Sequence, residues 1–529
     1  MFRSKSTDPW VFYTGAGLVI LFVAWGVLGT DSLASVTDSV LDWVLRSMGW
    51  VFVLSAAAFI AFAAYIGFSR YGTLRLGKDT DRPDFRTSSW IAMMFSAGMG
   101  IGLMFYAVAE PISHLGAPPL GLERAGTPDA ARLSMQYTYF HWALTPWCLY
   151  GIVGLALGYF SLRKGMPNLI STAFYPLIGD RVYGPIGKAI DIFAIWATLF
   201  GSATSLGFGA AQINSGLNFL WDVPISDGLA IAVIMILTLL FVLSAVTGVE
   251  KGVQFLSNVN MVLAIVLALF VLLVGPFVFI WETFTESVGA YLYQFIPMSF
   301  RSGAFGGGEW LSSWTIFYWA WWISWTPFVG TFLARISKGR TIREYLLGVL
   351  LVPTGVTFVW FAIFGGAAID LQLSGQANLI DAAAKPEVSL FTLLEQLPLT
   401  TITSALVIFL VALFFISGAD AASVVMGMMS SRGNLEPSRG VVVVWGTLTG
   451  LAASVLLLAG GLTALQQAAI IAAAPFVFII IGMVVGMLKE MRREPIQATV
   501  PVARAAPVGA QPGFAPQPPT ALGPDGPAG

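Results

Sequence analysis

The sequence of 529 residues is short of charge, cysteine and histidine. Asp, Glu, Lys and Arg make up 10% of it, whereas a soluble domain carries about 25%. The single cysteine, Cys148, excludes a disulfide framework, and two histidines, His114 and His141, are too few for a His-rich metal site. The net charge of −1 does not indicate a nucleic-acid partner, and no catalytic constellation stands out. We therefore expect neither a nucleic-acid-binding protein nor an enzyme.

Hydrophobic residues make up 57% of the chain and recur in long runs. A run of about 18 or more apolar residues is long enough to cross a bilayer as a helix. The first run follows a short polar start, residues 1–10, which does not resemble a cleavable signal. We predict an all-α polytopic membrane protein with twelve spans, at 11–30, 49–68, 89–109, 137–160, 189–214, 228–247, 256–280, 310–334, 343–365, 398–418, 439–461 and 466–488.

The basic residues between these spans indicate the orientation of the chain. Five of the 27 Lys and Arg residues fall on one side of the membrane, and the other 22 fall on the opposite side. The five are Arg46, Arg124, Arg132, Arg301 and Lys385. Because Lys and Arg concentrate in cytoplasmic loops, this asymmetry predicts that both termini are cytoplasmic.

Two segments outside the spans have their own character. Residues 281–300 mix polar and aromatic side chains, which favours an amphipathic helix lying at the outer interface. Residues 495–529 are rich in Pro, Ala and Gly, which predicts a disordered cytoplasmic tail. The tail lacks a basic stripe that could hold anionic lipid, so it does not predict osmosensing.

The third span contains three alternating glycines, Gly98, Gly100 and Gly102. Small residues allow close packing of helices, which is one interpretation. Three glycines in five residues also cost helix stability. Local unwinding is the alternative, and unwound backbone at membrane depth is tolerated where it lines a cavity or binds an ion.

Aromatic residues cluster in the fourth and eighth spans. The fourth has Trp142, Trp147 and Tyr150 around Pro146, which we expect to bend the helix. In the eighth, Trp310 and Trp314 lie near the outer interface, where Trp is expected.

Three further tryptophans of the eighth span lie deeper. Trp321, Trp322 and Trp325 are 12 to 16 residues beyond Glu309 and share one helix face. At 1.5 Å per residue they lie about 18–24 Å deep, too far for an interfacial belt. They could pack in the core, or their ring faces could bind a quaternary ammonium cation.

Polar residues within the spans are the remaining candidates. Thr198, Ser202 and Ser205 form a hydroxyl stripe that bonds to its own helix or offers oxygens to a hard cation such as sodium. Asp420 is a functional candidate in an apolar setting, or the N-cap of a following short helix. We interpret Asp191 as structural.

Taken together, these stretches resemble the betaine/choline/carnitine transporter (BCCT) family, most closely its sodium-coupled glycine betaine carriers. The resemblance covers residues 10 to 490 and leaves out the tail. It rests on "AGMGIGLMFYAVAEP" (97–111), "HWALTPWCLYGIVG" (141–154), "GEWLSSWTIFYWAWWISWTPFVGTFLARISKGRTIREYLLGVLLVP" (308–353) and "SGADAASVVMG" (417–427).

The resemblance implies a LeuT-like fold with alternating access. Two N-terminal helices and a loop (11–88) would precede two inverted five-helix repeats, at 89–280 and 310–488. It also implies a homotrimer in the cytoplasmic (inner) membrane of a prokaryote, in contact with membrane lipid. The family's ligands are trimethylammonium compounds and related compatible solutes.

Carried over position by position, the family's substrate box gives a set of expected binding residues. These are Trp142, Trp147, Tyr150 and Trp322, with Trp325 and Trp321 beside them and the segment of Gly98, Gly100 and Gly102. In choline carriers of the family the position of Gly102 tends to be Asp, which would help neutralise a net cation. Glycine here therefore favours a zwitterion such as glycine betaine.

The resemblance also implies two sodium sites and no other cofactor. The first maps to Thr198, Ser202 and Phe328. The second maps to the carbonyls of Ser96, Met99 and Phe414 and to a hydroxyl pair. Sodium-coupled relatives have Thr-Ser at that pair, whereas this chain has Ser417-Gly418, which leaves one hydroxyl.

The leading hypothesis is sodium-coupled import of glycine betaine or a similar zwitterion. A proton-coupled choline or ectoine carrier and a sodium-independent exchanger of the carnitine type are alternatives. A membrane sensor that binds betaine without moving it is a more remote one. The sequence does not rank betaine against ectoine, carnitine or proline betaine.

Overall fold

Helices form nearly all the regular structure in this computed structural model. The structure describes residues 7–98, 100–247 and 250–495. Within these ranges it does not describe the side chains of residues 95–98, 244, 246, 247 and 250–257. The first ten helices are α1 Pro9–Leu28, α2 Thr30–Phe68, α3 Thr87–Gly98, α4 Ile101–Gly116, α5 Pro128–Trp142, α6 Leu144–Gly158, α7 Tyr175–Ile178, α8 Pro185–Trp221, α9 Asp227–Thr247 and α10 Glu250–Val274. The next eight are α11 Phe277–Ser299, α12 Gly308–Leu311, α13 Phe317–Ile336, α14 Ile342–Leu373, α15 Leu379–Ala383, α16 Ser389–Glu395, α17 Thr400–Met429 and α18 Arg439–Met491.

Local sequence signals set where several of these helices begin. Asp8 caps α1, because its carboxylate accepts the backbone N–H groups of Trp10 and Val11. Helix α14 begins at a capping box, in which the Thr341 side chain and the Glu344 side chain each bond the other residue's backbone. Proline occupies the first position of α1, α5 and α8, where no intrahelical N–H bond is lost.

Glycine interrupts the last long helix. Helix α18 contains 53 residues, about 80 Å if straight and far more than one bilayer crossing. The backbone is non-helical at Gly460 and at Gly461, whose φ of 63° lies in the region that favours glycine. This break lies at the end of the predicted span 439–461 and before the span 466–488, so the two runs belong to two helical segments.

The membrane-spanning character is clear from the lengths and composition of the helices. In the described part of the chain, seven helical segments are long and apolar enough to cross a bilayer, or eight if a bent pair counts as one span. That pair is Asn258–Val274 and Phe277–Ser299, bent by 108°. The all-α polytopic class is confirmed, and the count of twelve spans stays a prediction. Residues 281–299 of the predicted amphipathic segment lie in α11, which turns sharply away from α10, and Phe300 is its C-cap.

Helix α8 lies at the centre of the bundle, packed against α13, α17 and α18, and α13 packs in turn against α6. From Ala197 to Ala210 every side chain of α8 is buried. The helices that carry the predicted aromatic and hydroxyl residues are therefore neighbours. The N-terminal residues 1–6 and the tail from 496 lie outside the described residues, so the predicted disorder of 495–529 stays a prediction.

Candidate functional site

The glycine segment of the third predicted span breaks a helix. Helix α3 ends at Gly98 and α4 begins at Ile101, with Gly100 between them in an extended conformation (φ −164°, ψ −178°). Gly100 and Gly102 both line a central cavity. The backbone is therefore unwound at Gly100. It is also closely packed at Gly102, because an added Cβ there would lie 2.9 Å from the Cη2 atoms of Trp142 and Trp321.

A second break lies between α5 and α6. Ala143 has φ −91° and ψ −113°, outside the helical region, and separates the two helices. Pro146 falls in the first turn of α6, where a missing N–H costs little. The bend predicted at Pro146 is therefore made three residues earlier, and it places Trp142 on one segment and Trp147 and Tyr150 on the next.

The structure brings all six predicted aromatic side chains around one cavity. We call this cavity the aromatic box. Its lining is Gly100, Ile101, Gly102, Leu103, Trp142, Pro146, Trp147, Tyr150, Ser205, Trp321, Trp322, Trp325, Val329 and Thr357. These described lining residues include no Asp, Glu, Lys or Arg, so the box suits a ligand recognised by ring faces and without a net charge.

The rings of the box pack closely against one another. The Trp142 and Trp322 centroids lie 4.9 Å apart with ring planes at 70°, and Trp322 stacks on Trp321 at 4.7 Å and 17°. Tyr150 lies 6.3 Å from Trp322 and 5.6 Å from Trp147, edge to face in both pairs. Aromatic pairs prefer such geometry, which holds the walls in defined orientations.

Of the five indole N–H groups in the box, two have a hydrogen-bond partner and two others are buried without one. Trp142 donates to Glu110 Oε2, and Trp322 donates to the carbonyl of His141 at 2.9 Å. The buried N–H groups of Trp321 and Trp325 have no hydrogen-bond partner among the described residues. A buried donor without a partner is costly, so an acceptor that reached either N–H group would be favoured.

A second cavity adjoins the box and contains most of the predicted sodium residues. We call it the lower cavity. It shares Gly100, Ile101, Ser205, Trp325 and Val329 with the aromatic box. Its other lining residues are Ser202, Leu206, Phe328, Phe332, Phe414, Ser417, Gly418 and Ala421. The predicted substrate residues and most of the predicted sodium residues therefore line two adjoining cavities.

The remaining predicted sodium residues do not all reach this space. Thr198 is outside the lining, and its hydroxyl donates to the carbonyl of Ala194 at 2.9 Å. Met99 and the side chain of Ser96 lie outside the described residues. The Ser417 hydroxyl donates to the carbonyl of Leu413 at 2.9 Å, which leaves its lone pairs free to accept or to bind an ion.

The structure also bears on the interpretations of Asp420 and Asp191. The capping interpretation of Asp420 is wrong, because Asp420 lies inside the continuous helix α17 and no new helix begins there. Asp191 has the structural role predicted for it, since its carboxylate accepts both the backbone N–H of Ser171 at 3.0 Å and the hydroxyl at 2.8 Å.

A buried polar cluster, which the sequence patterns did not predict, lies beside the box. Glu110 of α4 bonds both histidines of the chain, His141 Nδ1 at 2.6 Å and His114 Nε2 at 3.3 Å. It also bonds the Tyr318 hydroxyl and the Trp142 indole. A carboxylate directly at the end of the predicted span 89–109 was the available signal, since ionisable residues at membrane depth are functional candidates by default.

Two tryptophans that the sequence places near the outer interface pack against these histidines. Trp314 packs on His114 with ring centroids 4.4 Å apart, and Trp310 stacks on His141 at 6.0 Å. These indoles therefore contact the polar cluster as well as lying near the outer end of the helix.

Comparison with known proteins identifies the family of this chain. The family model described as "BCCT, betaine/carnitine/choline family transporter" matches residues 10–496. The chain is 48% identical to the glycine betaine transporter OpuD of Bacillus subtilis, over 92% of this chain and 94% of that protein. It is 45% identical to a probable glycine betaine transporter of Desulfitobacterium hafniense, over 92% and 97% of the two chains. It is 41% identical to the betaine/ectoine transporter LcoP of Corynebacterium glutamicum, over 94% and 80%.

The matched region spans the breaks at Gly100 and Ala143, the aromatic box, the lower cavity and the long helices from α2 to α18. The relatives are named as transporters, and the helices form a multi-pass membrane bundle. The chain belongs to the BCCT family of betaine/carnitine/choline transporters.

Proposed function

We propose that this protein imports a zwitterionic quaternary-ammonium solute, most simply glycine betaine, by sodium symport with alternating access. The observation that carries the proposal is the aromatic box, where rings from three helices meet at a broken helix. A trimethylammonium group cannot donate an N–H hydrogen bond, so ring faces are the chemistry that recognises it. The relatives named for glycine betaine support this choice of ligand.

The carboxylate end of such a ligand also finds suitable partners. The unpaired indole N–H groups of Trp321 and Trp325 belong to residues that line the box. A carboxylate oxygen would satisfy these donors, and hydrogen bonds to an ion are stronger than neutral ones. This arrangement favours a ligand with both a quaternary ammonium and an acidic group.

Gly102 supports a zwitterion over choline. A side chain at this position would begin 2.9 Å from two indole rings, so it would fit only if Trp142 or Trp321 moved. Without a carboxylate in the described lining, a net cation such as choline has no counter-ion within the box. A zwitterion carries its own.

Sodium is the coupling ion we propose. Ser202 and Ser417 line the lower cavity, beside the box, and hydroxyl oxygens suit a hard cation. Because the two cavities share five residues, an ion in one would act on a ligand carboxylate in the other at short range.

The assembly and orientation remain part of the proposal. We propose two inverted five-helix repeats at 89–280 and 310–488, both termini in the cytoplasm, and a homotrimer in the inner membrane of a prokaryote. The distribution of Lys and Arg supports the orientation. Crosslinking in native membranes would test the trimer.

Uptake into proteoliposomes tests the transport proposal. Labelled glycine betaine should accumulate under an inward sodium gradient and should not accumulate when potassium replaces sodium. Unchanged uptake in potassium would contradict sodium coupling, and accumulation driven by a proton gradient would favour the proton-coupled alternative. Counterflow of labelled betaine without any gradient would separate a carrier from a sensor that only binds.

A further inference from the structure

A fully buried carboxylate lies directly behind one wall of the aromatic box. Glu110 is 0% exposed, as are His114 one turn later on α4 and His141 at the end of α5. Glu110 is not part of the box lining, so it does not contact a ligand there. It reaches the box only through the side chains that it bonds.

The hydrogen bonds around Glu110 hold it as an acceptor. Oε2 receives the indole N–H of Trp142, which can only donate, and lies within bonding distance of the Tyr318 hydroxyl. Oε1 faces His141 Nδ1 and His114 Nε2. His141 Nε2 lies 3.0 Å from Thr315 Oγ1, so the ring can donate through Nδ1 while it accepts the threonine hydroxyl. Four potential donors on two oxygens match the acceptor sites of an ionised carboxylate.

Two of these partners connect the carboxylate to the ring faces of the box. Trp142 lines the box and packs against Trp322. Tyr318 stacks on Trp322 with centroids 5.7 Å apart and planes at 21°. A hydrogen bond to an anion polarises its donor, and in a low-dielectric interior that polarisation is strong. An indole whose N–H is held by a carboxylate has a more negative ring face, which attracts a cation more strongly.

We infer that Glu110 is a specificity-determining residue that acts through Trp142 and Tyr318, making the aromatic box selective for a cationic headgroup over a neutral one of the same shape. The inference rests on the proposed function, because it requires a quaternary ammonium ligand. It differs from a purely structural role in one measurable respect. A structural defect weakens all ligands of one shape alike, whereas loss of the charge weakens only the cationic one.

The test uses glycine betaine and its carbon isostere, 3,3-dimethylbutanoate, which has the same shape and carboxylate but no positive charge. Both are measured as competitors of labelled betaine binding to the full chain in nanodiscs. In Glu110→Gln, the affinity for betaine should fall about tenfold, which corresponds to about 1.4 kcal/mol of cation–π attraction. The affinity for the isostere should stay within about twofold, so the preference for the cation should fall by about the same factor as the affinity for betaine.

Asp191→Asn is the matched control. Asp191 is another buried carboxylate in a spanning helix, it bonds Ser171, and it is outside the box lining. This variant should keep the wild-type preference for betaine over the isostere. Glu110→Asp, which keeps the charge, should restore part of the preference that Glu110→Gln loses.

The outcomes separate the inference from the proposed function. Wild-type protein that shows no preference for betaine over the isostere would contradict the proposed function itself. Two results would overturn the role of Glu110. One is a preference for betaine that is the same in Glu110→Gln as in the wild type, and the other is an equal loss of affinity for betaine and for the isostere. If Glu110→Gln does not insert, Tyr318→Phe keeps the ring and removes its bond to the carboxylate. It should lower the preference about threefold, and an unchanged preference would overturn the inference.

Discussion

Replacing Trp322 with leucine should weaken betaine binding far more than it weakens the fold. Trp322 is 6% exposed, lines the aromatic box and contacts Trp142, Tyr150 and Trp321. Leucine keeps the site apolar but removes the ring face and the N–H bond to the carbonyl of His141. Loss of one desolvated cation–π contact costs about 0.5–2 kcal/mol, which lowers affinity roughly 2- to 30-fold. Displacement of the neighbouring rings adds to this, so we expect the upper end of the range.

Trp319→Leu is the matched control for this experiment. Trp319 lies on the same helix, is 1% exposed and packs on Phe140 with centroids 5.1 Å apart, but it is not in the box lining. Both variants lose a similar buried aromatic volume and should lose similar thermal stability. Only Trp322→Leu should lose affinity.

Titration calorimetry with glycine betaine on purified protein in nanodiscs measures the first effect, and thermal unfolding of the same samples measures the second. Equal betaine affinity in the two variants would refute the reasoning, because the deep tryptophans would then be packing residues without a share in recognition. A loss of affinity in Trp319→Leu alone would place the ligand elsewhere.

Three further predictions concern the ion, the glycine and the cytoplasmic end. Ser202→Ala should raise the sodium concentration for half-maximal uptake, and an unchanged sodium dependence would remove α8 from coupling. Gly102→Ala should cost about 1–3 kcal/mol of stability, because its Cβ meets two indoles at 2.9 Å, whereas Gly355→Ala, with no atom within 4 Å of its added Cβ, should cost nothing in thermal unfolding. Burial opposes ionisation of Asp8, but bonds from Lys188 and from the backbone of Val11 and Trp10 outweigh it and lower its pKa below 3.8. The ionised Asp8 carboxylate therefore stabilises the fold above pH 3.8, and this contribution is lost as the pH falls through the lowered pKa. The melting temperature should fall on acidification for this reason, and Asp8→Asn should not show this part of the fall.

Much of the site could be predicted because its signals are short-range. Glycines in mid-span weaken a helix wherever they lie, so a break near Gly100 was one of the two interpretations that the sequence offered. The depth of Trp321 and Trp322 follows from helical rise, which separates them from interfacial anchors. Family resemblance added which helices would face one another.

The parts that failed depend on contacts between distant segments. Glu110 and His141 are 31 residues apart, and Tyr318 is 208 residues from Glu110, so their cluster is visible only after α4, α5 and α13 have packed. Asp420 looked like a cap because Asp is a good N-cap, but helix α17 runs through it, and packing overrides local preference. The role of Thr198 as a sodium ligand stays a prediction, because its hydroxyl donates to a carbonyl of its own helix and keeps its lone pairs.

The geometry of the box also bears on how binding and movement are connected. The Trp142 and Trp322 rings contact each other at a centroid distance of 4.9 Å, which leaves no room for a cation between them. A cation held by several faces needs each centroid within about 6 Å of the charge, with its own volume between the rings. A cation between these two rings would therefore require their side chains to rotate or α13 to shift relative to α5. Helix α13 also carries Phe328 and Trp325 of the lower cavity, so the same shift changes the space that we propose for sodium. If the proposed ligand and ion bind as inferred, one helix with a ligand wall on one cavity and an ion wall on the other would couple them, since each would bias the same movement.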